Sequence, residues 1–159
     1  MAKAKRFWLL KTEPTSYSIH DLAAETTQST HWDGVRNYQA RNTLRDEMKL
    51  GDGVLVYHSN ADPPGVVGVA VVTQEGYPDF TSWDPEDKHY DPKSSQANPR
   101  WFMVDIRLEF VFDELIGLPE LRKCTALKDM LLLRKGSRLS VQSVREKEFD
   151  AILKIAAKQ

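Results

Sequence analysis

The stretch Phe102-Met103-Val104-Asp105-Ile106-Arg107-Leu108-Glu109-Phe110-Val111-Phe112 decides the fold. Phe102, Val104, Ile106, Leu108, Phe110 and Phe112 alternate with Met103, Asp105, Arg107, Glu109 and Val111, and a period of two sustained this long reads as a half-buried β-strand. Phe102, Val104, Ile106, Leu108 and Phe110 are expected to face one core, with Asp105 and Arg107 turned away. Such a strand needs partners. Val54-Leu55-Val56-Tyr57 is one, and residues 66–73, almost wholly apolar, read as another that is buried on both faces. Gly68 inside that run suggests a bulge or a close backbone approach. Phe7-Trp8-Leu9-Leu10 adds a short buried strand, stopped by Lys11-Thr12-Glu13-Pro14.

Helices fall between these strands. Ser18 and Asp21 form a capping box for a short helix to about Glu25. A second helix runs from Asn37 or Tyr38 to Met48, with Tyr38, Leu44 and Met48 on its apolar edge and Arg41, Arg45 and Lys49 more exposed. Residues 115–121 suggest a helical turn around Pro119, residues 126–133 a helix, and residues 137–141 a short strand. Ser143 with Glu146 reads as a second capping box, after which Phe149, Ile152, Leu153 and Ala156 share a helical face. Residues 76–100 are irregular, punctuated by Pro78, Pro85, Pro92 and Pro99, and their aromatics argue that they pack down. The interspersed strands and helices give an α+β expectation, a strongly bent mixed sheet or small β-barrel flanked by helices. No repeat or linker interrupts residues 1–159, so one domain is expected.

Composition bounds the function. The 159 residues are 41% hydrophobic and 28% charged with a net charge of −1, so no global basic field announces nucleic acid. The single Cys124 precludes an intramolecular disulfide and fits a reducing compartment. No run reaches membrane-spanning length, and Met1-Ala2-Lys3-Ala4-Lys5-Arg6 lacks the apolar core of a signal peptide. A cytoplasmic monomer is expected, with no membrane partner.

The chemistry concentrates in His31-Trp32-Asp33-Gly34-Val35-Arg36-Asn37-Tyr38-Gln39-Ala40-Arg41-Asn42, with a second polar-aromatic knot at Tyr57-His58-Ser59-Asn60. Asp33-Gly34 is also a common turn dipeptide, and the run after it can simply open a solvated helix. His20, His31, His58 and His89 are scattered, which disfavours a metal site. No Gly-x-Ser-x-Gly elbow is present, and His58 and Ser59, adjacent on a strand, point to opposite faces. Gly51-Asp52-Gly53 is too short for a dinucleotide loop. No metal, no cofactor and no catalytic nucleophile are expected. What remains is a pocket for a planar, hydrogen-bonding ligand. Trp32, Tyr38, Tyr57, Tyr77, Tyr90 and Trp101 supply rings, while Asn37, Asn42, Ser59 and Asn60 supply neutral donors and acceptors. Arg36, Arg41 and Arg45 supply phosphate partners. Stacking, edge-reading and backbone-holding together are what recognition of a single base requires. Trp32, Asn37, Tyr57 and Ser59 are expected to converge on one concavity, with Arg36 or Arg41 at its rim.

The string Trp32-Asp33-Gly34-Val35-Arg36-Asn37-Tyr38-Gln39-Ala40-Arg41-Asn42, followed by Tyr57-His58-Ser59-Asn60, resembles the EVE domain family. So do Tyr77-Pro78-Asp79, His89-Tyr90-Asp91-Pro92, Asn98-Pro99-Arg100-Trp101, Met103-Val104-Asp105 and Arg138-Leu139-Ser140-Val141. The resemblance implies a PUA-like fold, a small mixed barrel with helices packed around it, related to YTH and ASCH domains. It further implies a reader of modified bases in DNA or RNA, modified cytosine in DNA among them, that is not an enzyme. By analogy with the aromatic cage of YTH-type relatives, Trp32, Asn37 and Ser59 would hold the base. His58, Asn60, Tyr77 and Tyr90 complete the candidate set. The chain shows a lone EVE domain without a nuclease or restriction module, so restriction activity is not expected. The alternative is a small-molecule or nucleotide-binding domain, or an enzyme, using the same pocket.

Overall fold

The computed structural model describes residues 5–159. Its elements are β1 (Phe7–Thr12), α1 (Ile19–Ala24), β2 (Ser29–His31), α2 (Tyr38–Asp46), β3 (Gly53–His58), β4 (Gly65–Pro78), β5 (Phe102–Gly117), α3 (Leu118–Arg122), β6 (Val141–Val144) and α4 (Glu146–Ala157). The expectation about an N-terminal targeting segment falls mainly on residues 1–4, outside the described residues. No described helix is long and apolar enough to cross a membrane.

The strands form one mixed sheet in the order β2-β5-β4-β3-β1-β6. β1 and β3 run parallel and every other neighbour is antiparallel. The ladder ends at β2 on one side and β6 on the other, so the described strands do not close into the barrel that the sequence suggested. Both faces are buried, which is why β1 and β3 read as continuous apolar runs. Trp8 and Leu10 enter a first core with Ile19 and Leu22 of α1 and Ala40, Leu44 and Met48 at α2. Phe7 and Leu9 enter a second core with Leu121, Leu127, Met130 and the Phe149 and Ile152 face of α4.

The long strand follows its alternation from Val104, whereas Phe102, expected on the core face, is half-buried under the Arg45 guanidinium and outside both cores while Met103 is fully buried. Val104 and Ile106 lie in the first core with Leu108 packed against it, whereas Arg107 is exposed and Asp105 half-buried. Then Leu108 pairs with Ala70 but Phe110 pairs with Val69, which leaves Glu109 as an extra residue in β5. That bulge reverses the strand's parity. Val111 and Leu115 continue on the first core while Phe112 and Ile116 join the second. Phe110 is therefore not in the core expected for it: it is 46% exposed and leans on Phe112 at 5.8 Å. Gly68 marks both a slip in register and a close approach. A Cβ there would meet the Ile19 side chain and stand 2.6 Å from the Phe110 carbonyl oxygen.

Three local expectations are corrected. Residues 126–133 form two 3-10 turns, Thr125–Leu127 and Leu131–Leu133, around an extended Met130. Leu127, Met130, Leu132 and Leu133 are all buried, and a single helix would spread that spacing around its circumference. The last strand starts at Val141, leaving residues 137–140 as loop. Ser143 lies within that strand opposite Trp8, and the start of α4 is held instead by Glu148, whose carboxylate accepts from the Arg145 backbone N–H at 2.8 Å.

Candidate functional site

β1 and β3, the parallel pair, both deliver their chains to the same end of the sheet. Thr12 ends one strand with Glu13 after it, and Ser59 and Asn60 follow the other, tied where the Ser59 N–H donates to the Thr12 carbonyl at 2.9 Å. A cleft of about 640 Å³ opens there. Its walls combine Lys11, Thr12 and Glu13 with Ser16, Tyr17, Thr30, His31 and residues 32–36. Lys88, His89 and Ser140 complete it. Thr30 and His31 belong to β2 and Ser140 directly precedes β6, so the two ends of the sheet face each other across this opening.

The cleft's aromatic surface comes from Trp32 and Tyr17, set edge to face with centroids 6.4 Å apart. Trp32 is only 7% exposed; its backbone N–H donates to Val104 at 2.7 Å, and its ring belongs to the first core. The Tyr17 hydroxyl donates to Glu25 at 3.0 Å. Burial pushes the Tyr17 phenol up to about 12, so the hydroxyl keeps its proton at neutral pH. Charges around the opening balance, with Lys11, Arg36 and Lys88 against Glu13, Glu25 and Asp33. Burial lowers the Lys11 ammonium from its ordinary value.

One buried carboxylate organises the wall between Trp32 and Asn37. Asp79 accepts from the Gly34 N–H at 2.8 Å, from Arg36 Nη1 at 3.0 Å and from the backbone N–H of Thr81 at 2.9 Å. Burial acts to raise its pKa, but the bonds from Thr81, Gly34 and Arg36 outweigh that and hold the carboxyl below its ordinary range. Arg36 also donates through Nε and Nη2 to the His89 carbonyl at 3.1 and 2.6 Å. Gly34 adopts φ +81° against the His89 imidazole, where a Cβ would stand 2.5 Å from the ring. The Asp33-Gly34 turn is thus clamped to the long loop after β4. His89 Nδ1, although buried, has no hydrogen-bond partner, with Asp33 and Asp87 oxygens at 3.7 and 3.5 Å.

Of the expected residues, Trp32 and Arg36 line the cleft, and Ser59 and Asn60 border an adjoining trough that shares Lys11, Thr12, Glu13 and Ser140 with it. Asn60 is turned toward Glu13, donating to it at 2.7 Å. The others go elsewhere. Asn37 caps α2, its side chain accepting from the Ala40 N–H at 3.0 Å. Tyr57 packs in the second core, on the sheet face opposite Trp32, so the expected convergence of these two rings does not occur. His58 is buried, its Nε2 accepting from the Ile19 N–H at 3.1 Å, and burial lowers its pKa. Tyr38 stacks on Trp101 at 4.9 Å beneath the Arg41 guanidinium, 51% exposed and away from the cleft. Arg41 donates to the Arg100 carbonyl at 2.7 Å and to Asn42 at 2.9 Å. The Tyr77 hydroxyl donates to Asp105, and burial raises its phenol. Tyr90 is exposed.

Sequence reasoning missed Tyr17, Lys11, Glu13 and Lys88 as cleft residues, and Asp79 as the organiser. The first three sit at or after the end of β1, beside the Ser59-Asn60 that follows its parallel neighbour β3, a pairing no local signal in the chain announces. Among the described residues, no three His, Cys, Asp or Glu side chains are grouped so as to hold a metal.

The EVE domain pattern matches residues 6–155. Human thymocyte nuclear protein 1 is 43% identical, over 96% of this chain and 74% of its own length. A hypothetical protein from Leishmania major superposes with a TM-score of 0.91 at 42% identity, covering 98% of this chain and 97% of that one. The human THYN1 protein in complex with 5-methylcytosine-containing DNA superposes with a TM-score of 0.88 at 41% identity, over 98% and 99% of the two chains.

Proposed function

This chain belongs to the EVE domain family, and from that premise we propose that it is a non-catalytic reader of a modified nucleobase, a modified cytosine in DNA, held in the cleft that Trp32 and Tyr17 line. The observation that carries the reading is the cleft itself. It joins two aromatic rings to hydroxyl, carboxylate and ammonium groups at the open ends of a parallel strand pair. Flat apolar rings accept the face of a base, and the polar rim offers both donors and acceptors to its edge. The DNA complex of the human relative supports nucleic acid as the partner. Ser16, Thr30 and Glu13 replace Asn37 as the groups placed to read an edge, since the Asn37 amide is spent on its helix.

The cleft volume of about 640 Å³ and its balanced charge also suit a free nucleotide or other small molecule, which keeps a second reading in play. Equilibrium binding separates the two. A fluorescent oligonucleotide carrying one 5-methylcytosine should bind more tightly than its unmodified counterpart, and the free nucleoside should compete poorly. Tyr17→Ala should weaken binding about tenfold, one stacked base being worth roughly 1–3 kcal/mol. Equal affinity for the two oligonucleotides, together with efficient competition by the nucleoside, would overturn the nucleic-acid reading in favour of the small molecule.

A further inference from the structure

The cations first expected to hold phosphates are engaged elsewhere. Arg41 is spent on Arg100 and Asn42. Arg45 is paired with Asp46 through Nε at 2.8 Å and Nη2 at 2.9 Å, and Lys49 stands 3.9 Å from Glu75. These groups sit along α2, beside the Tyr38–Trp101 stack and outside the cleft.

A different cation, Arg138, stands at the trough beside the cleft, in a basic loop whose Arg134 borders a separate hollow with Asp129 and Glu148. Arg134-Lys135-Gly136-Ser137-Arg138 carries three positive charges and no negative one within a chain whose net charge is −1. Arg134, Lys135 and Arg138 are exposed, and among the described residues none of their side chains makes a hydrogen bond or ion pair. Arg138 and Ser137 border the trough of about 530 Å³ that shares Lys11, Thr12, Glu13 and Ser140 with the cleft. The Lys11 ammonium stands over the Tyr57 ring at 5.7 Å, with no carboxylate partner among the described residues. Glu13, the carboxylate common to cleft and trough, already accepts from Asn60. At the other end of the cleft, Lys88 is exposed and likewise unpaired among the described residues.

Unpaired cations at the cleft and at its adjoining trough match the logic of a polynucleotide, in which each base is flanked by phosphates on either side. We infer that the strand carrying the cleft-bound base runs through this trough, its phosphates held by Lys11 and Arg138 on one side and by Lys88 on the other. The inference rests on the base-binding reading above. It replaces the α2 row as the backbone contact.

Salt-series binding of Arg138→Ala, Lys88→Ala and Arg45→Ala tests it, using duplex DNA with and without one 5-methylcytosine. Each lost phosphate contact should flatten the salt slope by about 0.9 and weaken binding roughly threefold or more near physiological salt. Arg138→Ala and Lys88→Ala should show this equally on both duplexes, so preference for the modified one survives, while Arg45→Ala should match wild type. Unchanged affinity in the first two variants, with wild-type preference intact, would overturn the trough. So would a loss in Arg45→Ala as large as theirs. A wild type that binds both duplexes alike but still weakens in Arg138→Ala and Lys88→Ala would retain the trough and remove base reading. A wild type that binds neither duplex would overturn both.

Discussion

At the scale of single residues, Asp79 matters more to this site than any residue with an aromatic ring. It holds Gly34 and Arg36, and through Arg36 the His89 carbonyl, so the segment containing Trp32 is fixed by a group on a distant loop. Asp79→Ala should destabilise the fold by about 3 kcal/mol, because Arg36 would lose its buried partner; urea unfolding measures this. Because its folded pKa is depressed, the stabilisation by Asp79 is complete above the unfolded carboxylate value of about 4 and is lost as pH falls below it, through the lower folded value. Asp79→Asn should therefore be less stable at neutral pH and lose less further stability on acidification than wild type, as melting curves across that range would show. Trp32 belongs to the core and to the cleft at once. Trp32→Ala should cost about 3–5 kcal/mol of stability, whereas Trp32→Phe should keep the fold and part of the binding. A melting curve beside the binding assay separates the two effects.

At the scale of elements, the bulge at Glu109 and the close approach at Gly68 bend the two longest strands. Gly68→Ala would press a methyl group on Ile19 and on the Phe110 carbonyl, and should destabilise by about 2 kcal/mol in thermal unfolding, as overpacked sites do. The alternation of β5 was readable from Val104 to Leu108 because burial of one face sets the period of a strand. It misled at Phe110 because a one-residue bulge leaves the local hydrophobic pattern untouched while reversing which face it meets. The same limit applies to residues 126–133, whose composition favours a helix. Their burial is set by the second core, which needs leucines on several sides. The helix start at Ser18 was legible because capping is local chemistry, and its side chain accepts from Asp21 as expected, whereas Asn37, expected in the pocket, caps α2 in the same way.

At the scale of the molecule, the sheet's two ends meet at a cleft, and that meeting was not visible in the chain. Trp32 and Arg36 were legible as site residues because they stand together in a segment too polar and aromatic to be plain core. Tyr17, Lys11 and Lys88 were not, since each is ordinary in its own neighbourhood and joins the site only through the order β2-β5-β4-β3-β1-β6. Conversely, Tyr38, Arg41 and Tyr57 carry the right chemistry, but helix direction and strand parity take them elsewhere. The most direct test follows ligand contacts residue by residue. Nitrogen-labelled protein is titrated with the 5-methylcytosine oligonucleotide and its amide shifts are mapped. Binding in the cleft predicts that the largest changes fall at Tyr17, Trp32, Arg36, Lys88 and His89, with smaller ones at Arg138. Changes concentrated on Tyr38, Arg41 and Arg45, with the cleft amides silent, would contradict it.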